Sequence, residues 1–121
     1  MTTQENKIHE TIQTYVTGYL NAERSFIEKA FHPETRLYCV DNQKLEKTEM
    51  KDWIANIENR KLKGDLRSAQ LEILQIDITD QAATAKIELH FEKFRFTDYL
   101  SLLEINNEWI IVGKIYSIKV I

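Results

Sequence analysis

The familiar catalytic motifs are missing, so any chemistry must come from single residues, and Asp98 is the carboxylate best placed for it. No phosphate-binding glycine loop, zinc-protease helix, nucleophile elbow or cysteine pair is present. Asp98 lies near Phe96 and Tyr99, where a strand is expected to turn, and a carboxyl group in such apolar company could act as an acid. Its alternative role is to cap the turn by accepting hydrogen bonds from backbone amides. Lys114 is expected to be a solvated charge that faces an interface or pairs with Glu104 across a hairpin.

The three histidines do not have the spacing of metal ligands. His90 lies on the polar side of its predicted strand beside Glu88 and Glu92, which favours a solvated or interface position over an internal base. His32 precedes a proline at a helix end, and His9 lies on the exposed side of a helix. We therefore expect no metal site and no cofactor.

Aromatic side chains supply the other candidate site residues: Tyr15, Tyr19, Tyr38, Trp53, Trp109 and Tyr116. Aromatic walls with a few polar groups suit flat heterocycles, but the same side chains could simply fill the core. Core positions are favoured for Trp53 and Trp109. For Tyr15 both interpretations stand, because a buried tyrosine hydroxyl needs a hydrogen-bond partner.

Composition bounds the class of protein. The chain has 121 residues, of which 43% are hydrophobic and 29% charged, so one globular domain over residues 1–121 is expected. A net charge of −3 without a basic stripe argues against nucleic acid and anionic membranes as partners. With one cysteine, a polar start and no long apolar stretch, the sequence predicts a cytoplasmic protein with no internal disulfide.

The elements that must position these residues follow from the hydrophobic period. Helical spacing predicts three helices in the first half of the chain, interrupted by a short hairpin around residues 41–43. Gly18, inside the first helix, suggests close packing against a neighbour. After residue 65 the period becomes strand-like to the end, with a bulge expected at Ile73 and Leu74. The predicted class is α+β, in the order ααββαββββ, with a strongly curved and mostly antiparallel sheet.

The last two predicted strands are apolar on both faces, which predicts a homodimer. Simple alternation places Leu100 and Leu102 on one face of the strand and Tyr99 and Leu103 on the other. The final strand also has apolar residues on both faces. Three helices can cover only one side of a sheet, and the other side would expose a large apolar patch. A second copy packed through the sheet face would cover it; an edge helix or the tail folding over the patch is the alternative.

Four stretches of the chain resemble the nuclear transport factor 2-like superfamily, the cone-shaped fold of ketosteroid isomerases, SnoaL-like polyketide cyclases and scytalone dehydratase. Within it the chain is most similar to the bacterial group known as putative lumazine-binding proteins. The stretches are Tyr15-Val-Thr-Gly-Tyr19, Ala30-Phe-His-Pro33, Phe96-Thr-Asp-Tyr-Leu-Ser-Leu-Leu103 and Trp109-Ile-Ile-Val-Gly-Lys114. Fold alone does not fix chemistry.

The resemblance implies a pocket between the first and third helices and the concave sheet face. Tyr15 lies where the isomerases carry an oxyanion-donating tyrosine, whereas Cys39 or Tyr38 lies where they carry the proton-moving aspartate. That general base is therefore missing.

The expected function is a homodimeric domain that binds a flat, largely apolar aromatic or heterocyclic ligand. The ligand-binding candidates are Tyr15, Tyr19, Tyr38, Cys39, Trp53 and Asp98. One alternative is a cofactor-free isomerase, cyclase or dehydratase that uses Tyr15 and Asp98. Another is a non-catalytic interaction domain whose apolar sheet face is its whole purpose.

Overall fold

Three helices pack against one face of a six-stranded open sheet in a computed structural model that describes residues 2–121. The helices are α1 (Thr3–Leu20), α2 (Arg24–Ala30) and α3 (Met50–Lys63), and the strands are β1 (Arg36–Asp41), β2 (Lys44–Glu49), β3 (Gln70–Thr79), β4 (Ala82–His90), β5 (Phe94–Ile105) and β6 (Glu108–Val120). This arrangement confirms the predicted α+β class and order. Among the described residues, no helix combines the length and the apolarity needed to cross a membrane.

The sheet has the strand order β2-β1-β6-β5-β4-β3. Neighbouring strands are antiparallel except β1 and β6, which run parallel where Leu37 lies beside Lys114. The face that the helices cover is called here the inner face, and the opposite one the outer face. Alternate residues of β4 show the division: Ala83, Ala85, Ile87 and Leu89 are buried on the inner face, and the residues between them are more exposed.

The core lies between the inner face and the helices, and α1 supplies one continuous buried stripe to it. The stripe consists of Ile8, Ile12, Tyr15, Val16 and Tyr19 at helical spacing. Thr2 begins the helix with a capping box that includes Glu5. The predicted close packing at Gly18 is confirmed, because a Cβ there would lie 2.7 Å from the Cβ of Phe26 on α2.

Two irregularities set which side chains of the sheet face inward. The bulge predicted at Ile73 and Leu74 is confirmed by a register shift between Ile73 and Gln75. A second shift was not predicted: Ser101 pairs with Gly113, but Leu102 pairs with Ile111, so Val112 is an extra residue in β6. The simple alternation assumed for the last strand was therefore wrong beyond this point.

Candidate functional site

A buried hydrogen-bonded cluster of Tyr15, Asp98 and Lys114 lies on the inner face. The Tyr15 hydroxyl donates to Oδ2 of Asp98 at 2.6 Å, and Nζ of Lys114 donates to the same hydroxyl at 2.6 Å. Nζ of Lys114 also lies 3.6 Å from Oδ2 of Asp98. The tyrosine hydroxyl thus stands between an ammonium and a carboxylate, as a short relay of donors.

Burial governs the ionisation of this cluster. Tyr15 is 0%, Asp98 1% and Lys114 5% exposed. Burial raises the pKa of Tyr15 well above its ordinary value, and the negative charge of Asp98 adds to this effect. Burial also lowers the pKa of Lys114, while the Asp98 carboxylate opposes that shift. Tyr15 therefore keeps its proton at neutral pH and acts as a hydrogen-bond donor.

Aromatic rings surround the charged groups. The rings of Phe31 and Trp53 pack edge-on against Tyr15, at centroid distances of 5.0 Å and 6.0 Å. Nζ of Lys114 lies 4.9 Å from the ring centre of Tyr15, 5.0 Å from that of Trp53 and 4.9 Å from that of Tyr116. A cation at these distances is attracted by the ring faces, so the aromatic wall helps to hold the ammonium group away from water.

One atom of the cluster has no partner. Oδ1 of Asp98 is buried, and no donor among residues 2–121 forms a hydrogen bond with it. A buried carboxylate oxygen without a hydrogen bond costs free energy, and such an atom calls for a bound donor. The cluster therefore has an acceptor to offer from Asp98 beside donors from Lys114, whereas the single proton of the Tyr15 hydroxyl is already donated to Oδ2 of Asp98.

The local structure explains why these residues meet. Tyr15 lies at the centre of the buried stripe of α1, and Asp98 lies on the inner face of β5 opposite Tyr116. Lys114 pairs with Leu100 on the neighbouring strand. The extra residue Val112 places Lys114 on the same face as Ile111, where simple alternation would have placed it on the other.

The structure corrects two expectations about charged residues. Asp98 lies within β5 and not at a turn, because the chain turns earlier, between the end of β4 at His90 and the start of β5 at Phe94. Lys114 is not a solvated charge and does not pair with Glu104; it is buried against Asp98 and Tyr15.

The remaining predicted site residues divide between the two faces. Cys39 lies on the inner face, two residues beyond buried Leu37, and is a neighbour of Tyr116. Burial and this contact raise the pKa of Tyr116. Tyr38 pairs with Ile115 on the outer face, so it does not join the cluster.

Trp53 and Tyr19 lie between the cluster and solvent. Both line a hollow of about 360 Å³ whose other lining residues come from α3 and the segment that follows it: Asn56, Ile57, Asn59, Arg60 and Arg67. Trp53 thus contacts Tyr15 on one side and the hollow on the other. Sequence reasoning selected Trp53 and Tyr19 as aromatic residues, but it missed the two arginines beside them.

The outer face holds a broad open trough of about 580 Å³. Apolar and aromatic side chains line its centre, among them Tyr38, Tyr99 and Ile115. Tyr99 is 47% and Ile115 55% exposed.

His90 lies beside two carboxylates at the edge of this face, away from the cluster. Its Nε2 lies 3.2 Å from a carboxylate oxygen of Glu72 and 3.2 Å from one of Glu88. Sequence reasoning identified Glu88 as a neighbour but not Glu72, which β3 brings beside it. All three are at least partly exposed.

Comparisons with known proteins agree with this architecture. A family model described as "Putative lumazine-binding" matches residues 3–117. No curated protein sequence matches this chain.

Solved structures of similar shape include an NTF2-like protein of unknown function from Shewanella baltica. It has 28% identity and a TM-score of 0.82, and the match covers 98% of this chain and 97% of that one. An NTF-2 like protein of unknown function from Silicibacter pomeroyi has 23% identity and a TM-score of 0.84, with 98% of this chain and 100% of that chain covered. A structure named as a putative ketosteroid isomerase from Shewanella frigidimarina has 14% identity and a TM-score of 0.62, with 89% and 92% covered.

Proposed function

The chain belongs to the family described as putative lumazine-binding, with the NTF2-like fold, and on that premise we propose that it binds a flat heteroaromatic small molecule inside the cone. The site of this proposal lies between α1, α3 and the inner face of the sheet. The observation that carries it is the buried Oδ1 of Asp98, which lacks a donor among the described residues.

The proposed ligand complements the cluster atom by atom. A ring N–H or O–H of the ligand donates to Oδ1 of Asp98, and a ring carbonyl or nitrogen accepts from a remaining N–H of Lys114. Pteridines carry donors and acceptors side by side on one planar edge, as this arrangement requires. The ligand enters from the hollow, and Trp53 gives way because it is the side chain between the hollow and Tyr15.

Energetics support a role in binding. Burying an ammonium and a carboxylate costs several kcal/mol each, and apolar residues of similar size often give an equally stable fold. Perturbed ionisable groups concentrate at functional sites for the same reason. Asp98 and Lys114 therefore support a binding site better than a purely structural core.

The test is a thermal-shift and NMR titration with lumazine, a set of flat heteroaromatics and a set of simple ketones. A ligand at 100 times its dissociation constant should add about 2.7 kcal/mol of stability. We expect the shift in wild-type protein and in Tyr99→Phe, which alters only the outer face, but not in Asp98→Asn. NMR spectra report whether Asp98→Asn is folded. Shifts from no compound would contradict the proposal and favour an interaction domain, and unchanged binding by Asp98→Asn would remove the cluster from the site.

A second candidate function is cofactor-free isomerase, cyclase or dehydratase chemistry at the same cluster. The specific observation in its favour is the Tyr15 hydroxyl held between Lys114 and Asp98, since donors beside a carboxylate can support proton transfer next to a carbonyl group. Exchange of α-hydrogens of a bound ketone for deuterium, followed by NMR, should occur in wild-type protein and stop in Tyr15→Phe. Binding without exchange would leave the domain a binder and rule out the enzyme.

The same proposal includes a homodimer formed through the outer face. Exposed apolar side chains of β5 and β6, including Tyr99, Leu103 and Ile115, support it, because a patch of this kind is costly in water. Light scattering at micromolar concentration should give twice the mass of one chain. A monomer at that concentration would contradict the dimer.

A further inference from the structure

Two arginines converge on the aromatic ring of Tyr19 at the entrance of the hollow. The guanidinium carbon of Arg60 lies 4.9 Å from the centre of that ring, and that of Arg67 lies 5.5 Å from it. Nη1 of Arg67 also donates to the Tyr19 hydroxyl at 2.6 Å. Two positive charges therefore share one aromatic platform.

Arg60 is unusual because most of its guanidinium is buried and only part of it is used. The residue is 9% exposed. Its Nη2 donates to the backbone carbonyl oxygens of Asp65, at 3.2 Å, and Leu20, at 3.5 Å. Within residues 2–121, no acceptor forms a hydrogen bond with its Nε or Nη1. A structural role as a tie between α1 and the end of α3 explains Nη2, whereas Nε has only a longer ion-pair contact with Asp65 and Nη1 forms no hydrogen bond.

The local charges do not balance. Asp65 is the carboxylate beside the two arginines, with Oδ2 3.5 Å from Nε of Arg60 and 3.2 Å from Nη2 of Arg67. Its side chain is 43% exposed, so solvent screens part of its charge. Burial and the neighbouring Arg67 lower the pKa of Arg60, and Asp65 offsets this only in part.

The hollow in front of these groups has room for a ring and donors for an anion. It measures about 360 Å³, within the range of small-ligand sites. Trp53 and Tyr19 provide aromatic surface, and Asn56 and Asn59 provide carboxamide groups next to Arg60. Arginine presents paired N–H donors that match the oxygens of a carboxylate or phosphate.

We propose that this hollow is an anion subsite, in which Arg60 and Arg67 bind a carboxylate or phosphate group attached to a planar aromatic ring. The anion accepts from Arg67 and, once the buried guanidinium of Arg60 turns toward the hollow, from its Nε and Nη1, and the ring lies against Trp53. This inference rests on the proposed function and narrows it, because the ligand of the cone then carries a negative charge at its solvent-facing end.

The test is an NMR titration at low ionic strength with benzoate, phenyl phosphate and the uncharged benzamide. The indole N–H signal of Trp53 reports on the hollow, and that of Trp109, whose Nε1 donates to Gln4 elsewhere, is an internal control. We expect benzoate or phenyl phosphate to shift the Trp53 signal and to bind at least tenfold more tightly than benzamide. The tighter of the two anions identifies the group that the site prefers, and added salt should weaken both.

Arg67→Gln should abolish the preference for the anion, because it removes one charge and leaves the aromatic wall. Arg60→Lys should weaken it tenfold or more, since lysine keeps the charge but lacks the paired donors. Arg24→Gln is the matched control: its guanidinium pairs with Glu28 and Glu58 outside the hollow. The backbone NMR spectrum of each variant reports its folding.

The outcomes separate this inference from the proposed function. If lumazine or another neutral heteroaromatic binds the Asp98 cluster while benzoate, phenyl phosphate and benzamide bind equally, the anion subsite is wrong and the proposed function stands. Retention of the preference in Arg67→Gln, or no movement of the Trp53 signal with either anion, would likewise overturn it.

Discussion

At two places in the sheet a charged residue faces the interior and the apolar or aromatic residue that follows it faces solvent, which reverses the usual distribution of side chains. On β5, Asp98 is 1% exposed and faces inward, whereas Tyr99 is 47% exposed and faces outward. On β6, Lys114 is 5% exposed, whereas Ile115 is 55% exposed. Buried charge lowers the stability of an isolated chain, and an exposed apolar patch favours association with another surface. The proposed ligand would account for the inward charges and the proposed second copy for the outward apolar residues, whereas the folding of one chain accounts for neither.

Breaking the buried ion pair should have the largest effect. Asp98→Ala leaves the Lys114 ammonium buried without its carboxylate, so we expect the free energy of unfolding to fall by about 3–5 kcal/mol. Urea denaturation measures the change. Asp77→Ala, on an exposed position of β3, is the matched control and should change stability by about 0.5 kcal/mol or less. Adding Lys114→Met to Asp98→Ala should restore part of the loss, and a double variant as unstable as Asp98→Ala would contradict this account.

Removal of the central hydroxyl should have an intermediate effect. Tyr15→Phe deletes the hydrogen bonds to Asp98 and Lys114 while keeping the ring, so we expect a loss of about 1–3 kcal/mol. Tyr38→Phe, the same change on the outer face, should be close to neutral. Equal losses in the two variants, measured by urea denaturation, would show that the inner hydroxyl is not special.

Alkaline pH should reveal the inner tyrosine directly. The pKa of Tyr15 is raised in the folded protein, so above pH 10 the unfolded chain loses this proton while the folded chain keeps it. The unfolded state then binds fewer protons, and stability falls as pH rises, by about 1.4 kcal/mol per pH unit for this group.

Urea denaturation at several pH values above 10 measures the slope. Tyr15→Phe should show a slope shallower by about that amount, whereas Tyr99→Phe keeps the inner tyrosine and should leave the Tyr15 contribution intact. An unchanged slope in Tyr15→Phe would contradict the raised pKa. The lowered pKa of Lys114 has the opposite effect on the pH dependence. The contribution of Lys114 to stability rises with pH until the pH reaches 10.5, the pKa of lysine in the unfolded chain.

A charge on the outer face should have the smallest effect on the folding of one chain. Ile115→Lys replaces a half-exposed apolar side chain, so we expect the monomer's free energy of unfolding to change by about 0.5 kcal/mol or less. Sedimentation should nevertheless show loss of the proposed dimer. Leu62→Lys, on a still more exposed position of α3, is the matched control and should leave association unchanged. A dimer that persists in Ile115→Lys would show that the outer face is not the dimer interface.

Helical and strand periods were sufficient to predict the element order and the buried stripe of α1, because both follow from local spacing. The close approach at Gly18 was also predictable, since it depends on the residue type at one position. Tyr15 and Asp98 were both selected as candidates for chemistry. That they form a hydrogen bond across 83 positions of sequence could not be predicted from either neighbourhood.

Lys114 and the arginines of the hollow were missed for two different physical reasons. Simple alternation puts Lys114 on the same face as Ile110 and Val112. Only the pairing of β6 with β5 shows that Val112 is an extra residue, which moves Lys114 to the other face. Arg60 lies at the C-terminal end of α3, where a basic residue is ordinarily solvated. Its burial depends on the segment Asp65–Arg67, which folds back over α1 and has no hydrophobic period of its own.

The bulge at Val112 determines which side chains of the second half of β6 face the interior. Every inward side chain beyond it, Lys114 and Tyr116 included, is in phase with the cone only because one position is skipped. If Val112 stayed in the strand without the bulge, every later residue would shift by one position, which would turn the Lys114 ammonium toward solvent and Ile115 toward the aromatic interior. Deletion of Val112 itself would keep Gly113 opposite Ser101 and Lys114 facing inward. Gain or loss of the bulge, rather than the number of residues alone, would thus decide whether a related chain has an ionisable interior.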